Sequence, residues 1–302
     1  MVTANRRNAF LALTAAGVIW GLTVPLSKLA LAWVDPAWLA TARFALAAPV
    51  LALVARSGLR GALDARVAAW GALGYGAVLL LQNLGMARTS VSHAALIVGA
   101  VPALVAVTAA LAGRAAAGRL AWVGFVIALA GVGLVAGAGG DASSAGDALV
   151  FLSAVLCALY IVAQSRLLAG RDAVAVTAVQ MGAAALATLP VALAAGAPTH
   201  AAPGVGGTAA FVALVTVGSV LPFALYAYGQ ARVPAEVAGA FVNLEPLIGA
   251  SLGAVAFRDP FGGVQALGAA AILAGILLSV ERRDSVRAAR PAADLAVAPA
   301  QL

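Results

Sequence analysis

The sequence predicts an all-α polytopic membrane protein with ten transmembrane helices, arranged as two inverted five-helix repeats. First, 64% of its residues are hydrophobic and 10% are charged, and its mean hydropathy is +1.04, which excludes a soluble globular chain. Second, its 302 residues can hold ten spans of about 20 residues joined by short loops. Third, motifs recur at one fixed offset along the chain.

The recurrence has an offset of 144 residues and involves three separate matches. Gly85-x-Ala87-Arg88 matches Gly229-x-Ala231-Arg232, Pro102 matches Pro246, and Leu129-Ala130-Gly131 matches Leu273-Ala274-Gly275. A duplicated bundle with proline-interrupted helices in matching places is typical of secondary transporters. We expect repeats at 8–138 and 147–281, followed by a disordered cytoplasmic tail at 282–302.

Ten apolar runs define the expected spans, and short polar stretches separate them. The runs lie at 9–31, 36–55, 67–87, 92–112, 120–138, 147–167, 173–195, 207–230, 237–257 and 262–280. Asp35-Pro36 predicts the N-terminus of the second helix, because aspartate is a good N-cap and proline suits the first helical turn. The glycine-rich stretch 137–146 is a linker where the two repeats join.

The arginines predict the orientation of the chain. With the N-terminus in the cytoplasm, Arg88 and Arg258 lie outside and fourteen arginines lie inside. The inside set is Arg6, Arg7, Arg56, Arg60, Arg66, Arg114, Arg119, Arg166, Arg171, Arg232, Arg282, Arg283, Arg287 and Arg290. This bias supports an even number of spans with both termini in the cytoplasm. Because each half has five spans, the halves run in opposite senses.

Signals of enzymatic chemistry are weak. Lys28 lacks the glycine-rich frame of a phosphate-binding loop, and His93 and His200 have no metal-ligand spacing. We expect no enzyme, metal or cofactor, and the scattered basic residues indicate membrane topology rather than nucleic-acid binding. Lys28 is expected to snorkel to the outer surface, and Cys157 to be a small core residue.

Glu245 is the strongest candidate site residue, because an ionised carboxylate in hydrocarbon costs several kcal/mol. The alternative is a structural ion pair with Arg43, which lies at a similar predicted depth. Further candidate substrate contacts are Asn243, Trp20, Gln82, Asn83, Tyr160, Gln164 and Tyr226. For the amides and tyrosines, hydrogen bonding between helices is an equal alternative. Pro25, Pro102 and Pro246 are candidates for helix opening or gating, since each frees a carbonyl four residues earlier.

The distribution of these residues predicts which spans surround the cavity. Spans 1, 3, 4, 6, 8 and 9 carry most polar residues and prolines, so we expect them to form its wall. Spans 5 and 10 are almost purely aliphatic and are expected to pack peripherally. The sequence does not decide whether spans 2 and 7 contribute to the wall.

These motifs, in this order, resemble the EamA-type ten-helix branch of the drug/metabolite transporter superfamily over residues 8–281. The resemblance rests on Trp20-Gly21 with Lys28, Arg43, the segment GMARTSVSHAALI (Gly85 to Ile97) followed by Pro102, and Asn243-Leu244-Glu245-Pro246. It implies a secondary carrier of the bacterial-type inner membrane, usually an exporter of amino acids or other small metabolites. One departure is Val101, which stands where the second repeat has Glu245.

Two classes of function therefore stand. The first is a secondary transporter of a small metabolite, driven by the gradient of the substrate or by protons. The second is a flippase of a lipid-linked substrate, or a membrane scaffold that transports nothing. The expected partners are a small-molecule substrate, protons and the lipid bilayer, and the sequence gives no oligomeric state.

Overall fold

Every regular element that the structure describes is helical. The computed structural model describes residues 2–113, 119–137, 143–233, 238, 241–242, 244–258 and 262–280. The expected tail at 282–302 and Asn243 lie outside these residues. The α-helices are α1 (Val2–Leu31), α2 (Pro36–Val54), α3 (Leu59–Ala62), α4 (Ala65–Gly71), α5 (Val78–Met86), α6 (Val91–Val98), α7 (Val101–Leu111), α8 (Arg119–Gly137), α9 (Ser144–Leu167), α10 (Ala173–Ala195), α11 (Val205–Gln230), α12 (Leu244–Ala256) and α13 (Gly263–Val280).

Within the described residues, seven helical stretches are long and apolar enough to cross a membrane. They are Arg7–Leu31, Pro36–Val54, Ala65–Met86, Val91–Leu111, Ser144–Leu167, Ala173–Ala195 and Val205–Gln230. Three shorter apolar helices, Trp122–Val135, Leu244–Ala256 and Gly263–Gly275, fall within the remaining expected spans. Their described lengths are below the roughly 20 residues of a complete span.

The third stretch is continuous only through a π-helical segment. Residues Ala72–Ala77 form it, between α4 and α5. Its Gly74 lies directly against the ring of Tyr160, where a methyl group would overlap Cδ2. The wider turn therefore lies where α9 comes closest, and π-segments of this kind often mark functional sites.

The fourth stretch is broken in the middle, and a similar break lies in the second half. Helix α6 ends at Val98 and α7 begins at Val101, so Pro102 lies in the first turn of α7. Helix α12 begins at Leu244, so Pro246 also lies in a first turn. Proline is tolerated there because the first amides of a helix have no intrahelical acceptor. Glu245 therefore lies at a helix start rather than inside a continuous helix.

Aspartate and serine side chains begin several of these helices. Asp35 accepts hydrogen bonds from the amides of Ala37 and Trp38 at 2.8 and 3.2 Å, which confirms the predicted start of α2. Asp64 begins α4 in the same way. Its bonds from the amides of Arg66 and Val67, followed by the nearby Arg171, hold the pKa of Asp64 below its ordinary value.

Each helix of the first half packs against the second half in a regular way. The pairs in contact include α1 with α11 and α12, α2 with α10 and α11, α5 with α9, α7 with α9, α6 with α12, and α8 with α13. The last pair meets backbone to backbone, because a methyl group on Gly131 would lie 2.6 Å from the carbonyl oxygen of Gly268. Small residues thus allow close approach without a polar side chain.

The loops pair across the two halves. The amide of Asp35, after α1, donates to the carbonyl of Pro198, after α10, at 3.0 Å. On the α2–α4 loop, Asp64 forms an ion pair of 3.1 Å with Arg171, which lies between α9 and α10. The α1–α2 loop therefore lies beside the α10–α11 loop, and the α2–α4 loop beside the α9–α10 loop.

Candidate functional site

A cavity of about 110 Å³ lies between the two halves. Residues of α1, α2, the α4–α5 stretch, α9, α11 and the start of α12 line it. They are Trp20, Thr23, Val24, Ser27, Arg43, Phe44, Gly74, Tyr75, Val78, Leu79, Gln82, Asn83, Met86, Cys157, Tyr160, Ile161, Phe223, Tyr226, Val242 and Glu245. No described residue of α8 or α13 is among them, in agreement with the expected peripheral position of spans 5 and 10.

The fourth span was predicted to form part of this wall, but none of its residues is in the described lining. Neither α6 nor α7 contributes to it, because the buried face of α6 packs on α9 and α12 instead. The second span, whose contribution the sequence did not decide, supplies Arg43 and Phe44 to the lining. The seventh span, α10, stays behind the wall.

Aromatic rings from four helical stretches form a continuous wall. The ring of Trp20 lies 5.2 Å from that of Phe223 and 4.9 Å from that of Tyr226. The ring of Tyr75 lies 4.9 Å from those of Phe223 and Tyr160. Edge-to-face and tilted pairs at these distances are favourable, so the wall is rigid and presents ring faces and edges to a bound molecule.

Glu245 and Arg43 bring opposite charges to the same cavity. They are absent from the ion pairs of the described residues, which are His93–Asp147 and Arg171–Asp64. Arg43 donates from Nε to the hydroxyl of Ser219 at 2.9 Å and from Nη2 to the carbonyl of Gly218 at 3.3 Å.

The second of these acceptors has a local cause. Pro222 lies four residues after Gly218 in α11 and has no amide hydrogen, so it cannot bond that carbonyl. The free carbonyl is the one that Arg43 uses. A proline in α11 therefore fixes the guanidinium of α2 at the cavity wall.

Two buried polar atoms at the cavity have no hydrogen-bond partner among the described residues. They are Oδ1 of Asn83 and the hydroxyl of Tyr226. Nδ2 of Asn83 donates to the carbonyl of Pro36 at 3.1 Å, which fixes the direction of the amide. Buried polar atoms are almost always satisfied in folded proteins, so these two are available to water or to a polar ligand in the cavity.

The structure brings together six of the candidate substrate contacts, namely Glu245, Trp20, Gln82, Asn83, Tyr160 and Tyr226, and Arg43 with them. Gln164 lies outside this lining. Its Nε2 donates to Oε1 of Gln180 at 3.1 Å, and Nε2 of Gln180 donates back to Oε1 of Gln164 at 2.8 Å. The hydroxyl of Tyr160 also donates to Oε1 of Gln180, at 2.8 Å, so Gln164 supports the wall from behind.

The three prolines predicted to open helices lie around the cavity and not in its lining. Pro25 lies within the continuous helix α1, whereas Pro102 and Pro246 follow the two helix breaks described above. These breaks meet in space, because a methyl group on Gly99 would lie 3.2 Å from Cβ of Pro246.

Sequence reasoning missed several lining residues. Phe44, Tyr75 and Phe223 stand in apolar runs, where an aromatic residue looks like ordinary core, and Cys157 was expected in the core for the same reason. Lys28, which was expected to snorkel to the outer surface, is half-buried. Its Nζ donates to the carbonyls of Met86 and Thr89 at 2.8 and 2.6 Å, because the end of α5 offers unpaired carbonyls nearby.

Comparisons with known proteins agree with this architecture. A family model described as "EamA-like transporter family" matches twice, at residues 7–137 and 144–281. Seventeen chains of solved structures match. One, titled "Crystal structure of protein", has 20% sequence identity and a TM-score of 0.67 over 92% of this chain and 98% of its own. This likeness concerns the fold. No curated protein matches the sequence.

Proposed function

Because the chain belongs to the EamA-like transporter family, which groups membrane transporters of the drug/metabolite type, we propose that it is a secondary carrier that exports amino acids or similar small metabolites by alternating access. The proposed carrier has ten spans in two inverted halves and lies in a bacterial-type inner membrane, with both termini in the cytoplasm. The family consists of transporters rather than enzymes.

Glycine contacts support the relation between the halves. A methyl group on Gly85 would touch Val150 and Gly146, and one on Gly229 would touch Leu13 and Ala9. The two contacts join corresponding residues. Adding 144 to the residue number in α5 gives its counterpart in α11, and subtracting 137 from the numbers in α9 gives their counterparts in α1. An exchange by 144 residues in both directions likewise relates Gly131, against Gly268 and Ile272, to Gly275, against Gly124 and Ala128. Such exchanged contacts are expected of two halves related by a two-fold axis.

The loop contacts support opposite directions of the halves. In repeats that ran in the same direction, the α1–α2 loop would lie beside its counterpart, the α9–α10 loop. It lies instead beside the α10–α11 loop, through Asp35 and Pro198. Corresponding loops thus fall on opposite faces, which is the pattern of inverted-topology transporters with a site at their interface.

The observation that carries the proposed substrate class is the separation of Glu245 from Arg43 within one small cavity. A free amino acid carries an ammonium and a carboxylate group, which Glu245 and Arg43 can bind respectively. The carbonyl oxygen of Asn83 and the hydroxyl of Tyr226 supply further hydrogen bonds, and the rings of Trp20 and Phe223 pack on a side chain. Ligand sites typically combine such apolar walls with a few convergent polar groups.

The flippase and scaffold alternatives have less support. A volume of about 110 Å³ is similar to that of the roughly 150 Å³ cavity that binds benzene in another protein. A lipid-linked sugar would need far more room and a lateral path for its tail. A scaffold would have no reason to keep two opposite charges apart in its interior.

Counterflow in liposomes tests the proposal. Purified protein is reconstituted into vesicles loaded with one unlabelled amino acid at a time, and entry of the labelled form is measured. A lipid-linked sugar, protein-free vesicles and the lipid-facing variant Thr216→Ser serve as controls. We expect counterflow with at least one amino acid. Movement of the lipid-linked sugar alone, or of no substrate, would contradict the proposal.

A further inference from the structure

A second group of ionisable side chains lies buried where the halves meet, outside the cavity lining. Nδ1 of His93, in α6, is 3.2 Å from Oδ2 of Asp147, in the first turn of α9. Thr89 donates its hydroxyl to Oδ1 of Asp147 at 2.5 Å. The side chains of His93 and Asp147 are only 2% and 4% exposed. This pair is therefore shielded from bulk water.

Lys28 extends the group to a third helix. Its ammonium donates to the carbonyl of Thr89, the residue that also bonds Asp147. Lys28, Thr89, His93 and Asp147, which we name the end cluster, thus connect α1, the α5–α6 turn and α9. Two residues connect the cluster to the cavity lining: Ser27, which precedes Lys28, and Met86, whose carbonyl accepts from Lys28. The end cluster therefore holds together helices at one end of the cavity, the end that the arginine bias places outside.

In the sequence, the positions that correspond to this cluster after exchange of the halves carry different kinds of residue. A shift of 137 residues relates Asp147 to Phe10 and Lys28 to Ser165. A shift of 144 residues relates Thr89 to Val233 and His93 to Val237. None of these four ionises near neutral pH. In the described structure the ring of Phe10 lies 5.7 Å from that of Phe241, an apolar contact. The four positions that correspond to the end cluster therefore carry no ionisable side chain.

The charges around the pair indicate which group gains a proton. Among the described residues, the ion-pair partner of Asp147 is His93. The other charged side chains on elements packed against the pair are Lys28 and Arg7 on α1, Arg88 in the turn, Arg166 on α9, Arg119 on α8 and Glu245 on α12. Arg88 directs its guanidinium to the carbonyl of Leu84. A buried carboxylate is stabilised most by a cationic donor, which a protonated His93 provides.

We propose that His93 and Asp147 form a proton-binding site, and that a proton bound there holds the outer ends of the two halves together. The proton joins the neutral imidazole of His93 and turns its hydrogen bond to the Asp147 carboxylate into an ion pair. Histidine is the side chain that ordinarily changes charge between about pH 5 and pH 8. Acid outside then keeps this end closed, and a rise in pH loosens it. The proposal rests on the carrier proposed above and deepens it.

Paired spin labels test this without any transport substrate, so the result is independent of the counterflow assay. Nitroxides are placed at Ala87 and Ala145, which are exposed neighbours of Arg88 and Gly146 across the end cluster, in a Cys157→Ala protein. The protein is reconstituted in liposomes with the same pH on both sides. Between about pH 6 and about pH 8.5 we expect loss of most of the dipolar broadening.

Matched controls make the result specific. The pair Asn8 and Ala231 occupies the corresponding positions at the opposite end, and its broadening should not change with pH. His93→Gln, checked for folding by gel filtration, should abolish the response of the first pair, and Asp147→Asn gives the same prediction should the histidine variant misfold. Broadening that is equal at both pH values, that grows with rising pH, or that keeps its response in these variants overturns the proposal.

Discussion

Glu245 and Arg43 illustrate how single residues acquire different roles inside the membrane. Arg43 is 3% exposed and bonded to Ser219 and Gly218, so its position is fixed by α11. Glu245 reaches the cavity from a helix start and makes no ion pair with Arg43 among the described residues. One charge is thus held by the protein, whereas the other is available to a substrate.

Glu245→Gln should therefore reduce counterflow at least tenfold while leaving folding yield close to that of the parent. The amide keeps the shape of the side chain and removes the charge that would bind an ammonium group. Counterflow per mole of monodisperse protein measures the effect, with Thr216→Ser as the control. Transport at parental rates would remove Glu245 from the binding site.

Arg43→Ala should instead lower stability, by about 2 kcal/mol, because it leaves the carbonyl of Gly218 without its donor. The unfolding temperature in detergent measures this loss. A double-mutant cycle with Glu245→Gln should give a coupling near zero for stability. A large coupling would mean that the two charges act as a structural pair.

The sequence predicted the polar residues of the cavity lining but not the aromatic ones, for a physical reason. A charge or amide in an apolar run is conspicuous, so Glu245, Gln82 and Asn83 were identified from composition alone. Tyr75 and Phe223 were not, because an aromatic residue at a cavity and one in a core look alike in sequence. The acceptors of Lys28 could not be predicted, since they belong to a turn 58 to 61 residues away in the sequence.

Among the elements, the contact of α8 with α13 depends on the absence of side chains. Gly131→Ala should cost about 1 to 3 kcal/mol, because the added methyl group meets the backbone of Gly268. Gly133, on the same helix, has nothing within 4 Å of such a methyl group. Gly133→Ala should then leave the unfolding temperature unchanged or slightly higher. Equal effects of both changes would refute the close contact.

The start of α4 gives a pH-dependent prediction. The pKa of Asp64 is lowered in the folded chain by amides that bond only the ionised carboxylate. Its contribution to stability is therefore present above the unfolded value, 3.8, and lost as the pH falls below it. The unfolding temperature of Asp64→Ala should be lower than that of the parent at pH 7, and the two should converge in acid. A constant difference would contradict this.

Helix breaks were only partly predictable. The repeat-matched prolines, Pro102 and Pro246, marked the right places, because proline favours the first turn of a helix. The π-helical segment around Gly74 was not foreseen. Its position depends on the ring of Tyr160, a contact across the two halves that no local pattern contains.

For the whole molecule, the repeat was readable where identical residues survive, as at Gly85 and Gly229. The relation of α1 to α9 was not, because these helices share few residues and their offset is 137 rather than 144. Packing alone reveals it, through Ala9 and Leu13 opposite Gly146 and Val150. If the halves are inverted as proposed, the end cluster predicts that the outer end of the carrier responds to pH.

Labelling at two corresponding positions tests this architecture most directly. Ala87 and Ala231 are 144 residues apart, both are exposed, and each lies just beyond the end of a helix, at a turn within its own half. Each is changed to cysteine in a Cys157→Ala protein and treated in intact cells with a membrane-impermeant thiol reagent. Inverted halves predict labelling at Ala87 from outside, and at Ala231 only after the membrane is permeabilised. Labelling of both positions from the same side would contradict the inversion and the carrier built on it.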